Sequence, residues 1–171
     1  NKYLKGGLRE KRIYKSSEEN KPLITVITPV LNNEKYLQEC FDSLHTQNYK
    51  NYEHIVIDGG SRDETIKIIK DNEDKIDFWV SEKDKGIYDA FNKGMKSSKG
   101  DIICFLNSDD LYYSEKTLDY VVEAFNNNIS LDFIFGPVKK HWGLLHGYKP
   151  WKIHFTWGFY SSHSTGFFIK S

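Results

Sequence analysis

Two adjacent carboxylates stand directly after an apolar run in the stretch ICFLNSDDLYY, residues 103–113. Asp109 and Asp110 form the pair, and Asn107 adds a further side-chain oxygen just before them. Neighbouring carboxylates repel each other and lose hydration close to a core, so an uncompensated pair is costly there. Two interpretations remain open from these residues alone. The acids cap the next helix or bind loop amides, or they bind a divalent cation, which prefers oxygen ligands.

Polar segments follow three other apolar runs in the same way. They are PVLNNE at 29–34, DGGSRD at 58–63 and DKG at 84–86. If each apolar run is a strand of a parallel sheet, these segments meet the acidic pair at the edge formed by the strand carboxyl ends, where open α/β sheets bind ligands. Within them, Asp58 either accepts a hydrogen bond from a nucleotide base or fixes a turn, and the two interpretations are equally open.

Familiar phosphate-binding and calcium-binding motifs are absent from these segments. No G-x-G-x-x-G follows a predicted strand and no G-x-x-x-x-G-K-[ST] occurs, which excludes a Rossmann dinucleotide fingerprint and a P-loop. The stretch DGGSRDE is not an EF-hand loop, because Gly60 and Arg62 stand where oxygen ligands are needed. A nucleotide at this edge must therefore be held by a different arrangement.

The elements that must position these residues alternate between strand and helix patterns. β-Branched and apolar runs predict strands at 23–28, 52–58, 76–80, 100–106, 131–135 and 166–169. Helical spacing and a capping box from Ser61 to Glu64 predict helices over 36–44, 61–69, 87–95 and 114–126. The third helix should bury one face made of Ile87, Ala90, Phe91 and Met95. This alternation favours a mostly parallel, right-handed α/β sheet flanked by helices.

Length and charge limit the classes of protein. A chain of 171 residues with 39% hydrophobic residues builds one sizeable core. Its 24 basic residues balance 24 acidic ones, so the net charge gives no indication of nucleic-acid binding. Residues 1–21 contain seven Lys or Arg against three Glu, which predicts a solvated basic extension ahead of a domain over 22–171.

Cysteine use and hydropathy indicate the compartment. Cys40 and Cys104 lie in separate apolar segments, which favours buried thiols in a reducing compartment over a disulfide. No apolar run reaches membrane-spanning length, and the charged N-terminus lacks a signal-peptide core. We therefore expect a cytoplasmic protein without a transmembrane segment, at most peripheral to the inner face of the membrane.

Three blocks of sequence carry a resemblance to a known family. They are ITPVLNNEKYLQECFDSLHTQNYKNYEHIVIDGGSRDET, DKGIYDAFNKGM and KGDIICFLNSDD, in this order along the chain. Over roughly residues 23–169 the chain resembles the family 2 glycosyltransferases, which have the Rossmann-like GT-A fold. The resemblance implies a nucleotide-sugar donor, UDP-linked in our interpretation, whose sugar is transferred with inversion to a glycan or lipid-linked acceptor.

The resemblance also implies roles for individual residues. The stretch NSD stands where the family has its Asp-x-Asp motif, so a divalent Mn²⁺ or Mg²⁺ should be held mainly by Asp109, with Asn107 and Asp110 assisting. A neutral Asn oxygen is a weaker ligand than the usual carboxylate, which reduces the expected metal affinity. The residues implied to bind the nucleotide sugar are Pro29, Asn32, Glu34, Asp58, Asp84, Lys85, Gly86, Asn92 and Ser108.

The catalytic base is the part that the resemblance does not supply. Family members use an aspartate to take the acceptor's proton, and it lies beyond the segment that corresponds to HSTGFFIKS. We therefore expect the base beyond Ser171 and a domain truncated at its C-terminus. Within the chain, the remaining candidates are Asp89, which equally fits a helix's first turn, and His163, which is also suited to metal binding or to a polar loop. A non-catalytic nucleotide-sugar-binding or scaffolding domain is the alternative function.

Overall fold

A computed structural model describes residues 3–128, 130–135 and 167–170 of the chain. Seven strands and four α-helices occur within these residues, together with one 3₁₀ helix, Leu8–Lys11. The strands are β1 (Leu4–Gly6), β2 (Ile24–Val30), β3 (Tyr52–Asp58), β4 (Phe78–Ser81), β5 (Ile102–Phe105), β6 (Phe133–Phe135) and β7 (Phe167–Lys170). The helices are α1 (Leu37–His45), α2 (Thr65–Asp71), α3 (Ile87–Ser97) and α4 (Thr117–Asn127).

All seven of these strands join one sheet in the order β1-β4-β3-β2-β5-β7-β6. Its centre, formed by β4, β3, β2 and β5, is parallel, whereas β1 pairs antiparallel with β4 and β7 pairs antiparallel with both β5 and β6. The predicted mostly parallel α/β sheet is therefore confirmed. Because the four central strands are parallel, their carboxyl ends share one edge.

The two innermost strands are buried along their whole length. Every residue of β2 and β3 is buried, as expected of parallel strands covered on both faces. The predicted end of β2 before Pro29 is wrong, because the strand continues to Val30. The β5 ladder reaches only as far as Ile27, so Pro29 pairs only with Ile57 of β3 and its missing N–H is tolerated.

Helices cover both faces of the sheet. On one face, α1, α2 and α4 pack with alternate residues of β2 and β3. Helix α1 buries Leu37, Cys40, Phe41 and Leu44, whereas Tyr36, which shares their helical spacing, is exposed. On the other face, α3 packs with β2 and β3. No helix of the described residues is long and apolar enough to cross a bilayer.

The buried face of α3 differs from the predicted one. Ala90 and Gly94 are buried, whereas Ile87 and Met95 are exposed and Phe91 is half-buried. Position 94 has no room for a side chain, because a Cβ there would overlap Ile27 Cγ2. The helix therefore rests on the sheet through its smallest residues, which brings its backbone close to β2.

The predicted solvated N-terminal extension is wrong for the described part of that segment. Arg9 Nη2 lies 2.5 Å from Glu53 Oε2, and Lys15 Nζ lies 2.9 Å from Asp77 Oδ2. Both acids have side chains only 2% exposed, so their charges need partners inside the fold. Pairing of β1 with β4 also covers the edge of the parallel sheet. Arg9 and Lys15 thus serve the core, whereas Lys5, Lys11, Arg12 and Lys21 are exposed.

Candidate active site

Four loops meet at the edge where the parallel strands end. We name them loop A (31–36, after β2), loop B (59–64, after β3), loop C (82–86, after β4) and loop D (106–116, after β5). The residues predicted to bind the nucleotide and the metal lie in these loops or beside them. Pro29 is buried in β2, Asp58 is the last residue of β3, and Asn92 is exposed on α3. The topology therefore brings together the segments that the strand pattern placed at one edge.

Asp58 is completely buried beneath loop B. Its Oδ2 accepts hydrogen bonds from the Gly60 amide at 3.0 Å and from Ser81 Oγ at 2.6 Å, while Oδ1 accepts one from Ser61 Oγ. The Ser61 amide adds a further hydrogen bond to Oδ2 at 3.0 Å. Of the two interpretations left open for this acid, the structure shows the one in which it fixes a turn, while a base contact remains a prediction.

The Asp58 contacts alter the predicted start of α2. Ser61 was expected to open a capping box with Glu64, but its hydroxyl donates to Asp58 and the helix begins at Thr65. The Asp63 carboxylate instead accepts the Thr65 amide at 3.1 Å. Although lost hydration opposes it, hydrogen bonds with Thr65 and with the Glu34 amide lower the pKa of Asp63. Ser61 was assigned to a helix cap instead, and Ser81 was missed because its partner Asp58 lies 23 residues away, which no local pattern reveals.

Loops A and B are joined by reciprocal hydrogen bonds. The Asn32 amide donates to Ser61 Oγ and Asn32 Oδ1 accepts the Arg62 amide, each at 2.8 Å. The Glu34 carboxylate accepts the Glu64 amide at 2.9 Å. Asn32 has a φ of 49°, a left-handed conformation that asparagine tolerates better than most residues. Asn32 and Glu34, both predicted to bind nucleotide, therefore fix the wall of the site.

Loop C places the carboxylate of Asp84 against loop B. A Cβ at Gly59 would lie 2.6 Å from Asp84 Oδ2, so only glycine leaves space for this carboxylate. Asp84 Oδ1 accepts the Gly86 amide at 3.0 Å, and Gly86 has a φ of 110°, which favours glycine. The predicted DKG segment is therefore shaped by two glycines, and it holds Asp84 beside the end of β3.

Asp89 is poorly suited to act as a general base. Its carboxylate accepts the Lys85 amide at 3.1 Å and lies 3.4 Å from Lys93 Nζ. The Lys85 hydrogen bond and the contacts with Lys93 lower the pKa of Asp89. A base works best when its pKa lies near the operating pH, so these contacts disfavour Asp89 in that role. The other candidate, His163, lies outside the described residues, as does Ser171.

The two adjacent acids of loop D differ in exposure, since one is exposed and the other half-buried. Asp109 is exposed, whereas Asp110 accepts a hydrogen bond from Asn107 Nδ2 at 2.9 Å. The helix-capping interpretation is wrong, because α4 begins only at Thr117. From below, Cys40 Sγ contacts the Asn107 carbonyl oxygen at 3.3 Å. The loop is thus supported by α1 while Asp109 faces solvent.

The oxygen donors of loop D suit a hard divalent cation in kind but not in number. Carboxylate and amide oxygens are the ligands that Mg²⁺ and Mn²⁺ prefer, and such ions take about six. Within the described residues, no group of three or more acidic, His or Cys side chains is placed to hold a metal. A cation bound here would need oxygens from a diphosphate or from water to complete its shell.

The two cysteines take no part in this chemistry. Cys40 and Cys104 are both buried and neither forms a disulfide, as the sequence predicts. Burial raises the pKa of Cys104 to about 12, so its thiolate is negligible at neutral pH.

Sequence comparison places this arrangement among known proteins. A family model described as Glycosyl transferase family 2 matches residues 25–169. An uncharacterised glycosyltransferase of Mycobacterium tuberculosis is 37% identical over 123 residues, which is 71% of this chain and 44% of that protein. One from Rickettsia typhi is 38% identical over 113 residues, 66% of this chain and 35% of that protein. The chain thus spans less than half the length of these relatives.

Solved structures show the same fold. S. aureus TarS (residues 1–349) in complex with UDP-GlcNAc superposes with a TM-score of 0.59 at 27% identity, over 64% of this chain and 32% of TarS. A mannosyltransferase from Pyrobaculum calidifontis in complex with GDP-Man and Mn²⁺ superposes with a TM-score of 0.61 at 24% identity, over 66% of this chain and 34% of that one. The second likeness shows the fold alone. Together they confirm the GT-A type of the α/β sheet.

Proposed function

The chain belongs to glycosyl transferase family 2, and from this premise we propose that it binds the donor of an inverting, metal-dependent enzyme that moves a sugar from a UDP-sugar to a glycan or lipid-linked acceptor. The observation that carries the proposal is the convergence of loops A to D on one edge, with the exposed Asp109 carboxylate beside them. The UDP-GlcNAc complex of TarS supports UDP as the nucleotide. We also propose a cytoplasmic location, because both cysteines are free thiols.

Each loop has a defined task in this proposal. Loops A and B, joined through Asn32 and Glu34, form the wall against which the nucleoside rests, and Asp58 fixes the turn of loop B. Asp84 in loop C faces the ribose and sugar, whose hydroxyls suit a carboxylate acceptor. Loop D lies at the diphosphate. The site would thus contact the donor along the edge of the sheet, from its base at loops A and B to its diphosphate at loop D.

Asp109, with Asn107 and Asp110, would hold the cation. When bound, Mn²⁺ or Mg²⁺ would neutralise the charge that develops on the nucleoside diphosphate as it leaves. The acceptor hydroxyl must lose a proton as its oxygen attacks the anomeric carbon. Since the hydrogen bond from the Lys85 amide and the contacts with Lys93 lower the pKa of Asp89 and make it a weaker proton acceptor, we propose that the base comes from outside the described residues.

Binding of UDP tests the nucleotide and metal parts of the proposal. Calorimetry should show tighter UDP binding with Mn²⁺ than with EDTA, because a cation shared between carboxylate and diphosphate needs both. Asp109→Asn should remove most of this difference. Asp71→Asn, which changes an exposed acid at the end of α2, is the matched control and should keep it. Equal UDP affinities with Mn²⁺ and EDTA in the unmodified chain would refute the metal role.

A non-catalytic nucleotide-sugar-binding domain is the second candidate. The contacts of Asp89 favour it, because they lower the pKa of this acid and make it a weaker proton acceptor. Hydrolysis of UDP-sugars by the chain, followed by liquid chromatography, separates the two candidates. Turnover that exceeds buffer controls supports an enzyme, whereas binding without turnover supports the second candidate.

A further inference from the structure

Asn33 lies where three loops of the site meet, although no pattern in the sequence indicates a role for it. Its amide donates to Thr65 Oγ1 at 2.9 Å, and its side-chain nitrogen Nδ2 donates to Ser108 Oγ at 2.8 Å. Thr65 is fully buried at the start of α2, and Ser108 is 9% exposed in loop D. The Asn33 carbonyl also accepts the Leu37 amide at the start of α1. One residue therefore contacts the beginning of two helices and the predicted metal loop.

The residues on either side of Asn33 fix its backbone relative to loop B. Asn32 and Glu34, on either side, bond to loop B, so the backbone of loop A cannot shift without breaking these bonds. A side chain that is fixed at its backbone holds its partner in place at low entropic cost. Asn33 thus fixes the position of Ser108 relative to the nucleoside wall formed by loops A and B. The residue that follows Ser108 is Asp109.

We propose that Asn33 is a positioning residue that sets Asp109 at the correct distance from the nucleoside wall, so that base and diphosphate are bound in register. The inference rests on the proposed function. Ligand geometry at a hard cation is strict, and a misplacement of about 1 Å in a site is enough to lower its efficiency severely. Loss of the bond between Asn33 and Ser108 should therefore weaken the metal-dependent part of UDP binding and spare the metal-independent part.

A double-mutant cycle on Asn33 and Ser108 tests this. UDP affinity is measured with Mn²⁺ and with EDTA for the unmodified chain, Asn33→Ala, Ser108→Ala and the double variant. Asn33→Ala should reduce the gain from Mn²⁺ roughly three- to tenfold, the loss expected for one buried hydrogen bond, while the affinity in EDTA changes less than about twofold. The double variant should lose no more of the gain than Ser108→Ala alone, since both changes remove the same bond.

Two further variants separate positioning from stability. Asn33→Asp should keep most of the gain, because the Ser108 hydroxyl can rotate and donate to a carboxylate. Gln38→Ala removes a comparable amide hydrogen bond, 2.8 Å long between Gln38 Oε1 and Asn72 Nδ2, away from the four loops, and should leave the gain unchanged. Thermal melting of each variant shows that the chain is folded.

The outcomes are distinct. An unchanged Mn²⁺ gain in Asn33→Ala, or an equal loss in Mn²⁺ and in EDTA, overturns the inference while the proposed function stands. If Asn33→Ala does not fold, Ser108→Ala removes the same bond from the other side, and an unchanged gain there overturns it equally. If the unmodified chain binds UDP without any gain from Mn²⁺, the proposed metal function fails, and the inference fails with it.

Discussion

The Asp58 carboxylate is buried at the end of β3 and accepts hydrogen bonds from loop B and from the last residue of β4. The amides of Gly60 and Ser61 and the hydroxyl of Ser81 all donate to Oδ2. Hydrogen bonds to an ionised acceptor are stronger than those between neutral groups, which offsets the lost hydration of the carboxylate. Because the donors come from loop B and from the last residue of β4, Asp58 fixes how these two parts leave the sheet.

We predict that Asp58→Asn destabilises the fold. The amide keeps the shape of the side chain but turns one acceptor into a donor that faces other donors, which should lower the free energy of unfolding by about 1 to 3 kcal/mol. Urea denaturation followed by circular dichroism measures this loss. Ser81→Ala removes one bond to the same oxygen and should cost less than Asp58→Asn. An unchanged urea midpoint in Asp58→Asn would contradict the role described here.

At the scale of elements, the N-terminal segment completes the sheet. Arg9 bridges the Glu53 carboxylate and the carbonyl oxygen of Ser97 at the end of α3, so it connects β3 with that helix. Glu53 also accepts hydrogen bonds from Thr25 Oγ1 and the Lys99 amide. A glutamate in the middle of a buried strand is uncommon without a partner. It was the signal in the sequence that a basic residue had to be buried beside it.

Arg9→Met should therefore destabilise the chain strongly. It leaves the Glu53 charge without its cation, and we expect a loss of about 2 to 4 kcal/mol because removal of one partner of a buried pair is costly. Lys5→Met on the same segment is the control, since the Lys5–Glu10 pair is about half exposed and such pairs contribute little to stability. Similar urea midpoints for the two variants would contradict burial of Arg9.

Gly94→Ala tests the close contact of α3 with β2. The added methyl group would overlap Ile27 Cγ2, and overpacking of this kind costs about 1 to 3 kcal/mol, more than alanine gains in helix propensity. Lys96→Ala, at an exposed position of the same helix, should change the stability little. Chemical denaturation of both variants measures the difference, and a more stable Gly94→Ala would show that the helix can move away from the sheet.

The order of elements was predictable from sequence, whereas the contacts between loops were not. The β-branched and apolar run at 23–28 predicted a central strand, because strands buried on both faces are rich in Val, Ile and Leu. The extension of β2 through Pro29 depends on where β5 ends, which is a property of pairing and not of local sequence. The bond from Asn33 to Ser108 spans 75 residues and depends on the left-handed turn at Asn32, so no spacing rule could predict it.

At the scale of the whole molecule, the face of the sheet covered by α1 holds a pair of uncharged histidines. His54 is fully buried in β3, with Nε2 3.0 Å from Thr28 Oγ1, and its ring centroid lies 5.7 Å from that of His45 at the end of α1. Burial lowers the pKa of His54 well below its usual value and lowers that of His45 to about 4. Positive charge at nearby lysines, among them Lys15, acts in the same direction.

The histidine pair makes stability depend on pH with a definite sign. In the unfolded chain both rings take up protons near pH 6.5, whereas in the folded chain they stay neutral to a lower pH. The unfolded state therefore binds more protons below about pH 6.5, and the free energy of unfolding falls from there toward pH 4. Asp77 acts in the opposite direction, because burial raises its pKa and the folded state protonates it earlier.

We predict that His45→Gln flattens this pH dependence. Between pH 7 and pH 4.5 the unmodified chain should lose about 1 to 2 kcal/mol more than the variant, which is less than the full shift in pKa implies because the His45 ring is only partly enclosed. Urea denaturation at half-unit steps of pH measures both curves. Lys50→Ala, which removes a lysine that donates to the His45 carbonyl oxygen and leaves the His45 ring in place, should keep the slope of the unmodified chain. Parallel curves for the unmodified chain and His45→Gln would mean that His45 is protonated as easily in the folded state as in the unfolded one.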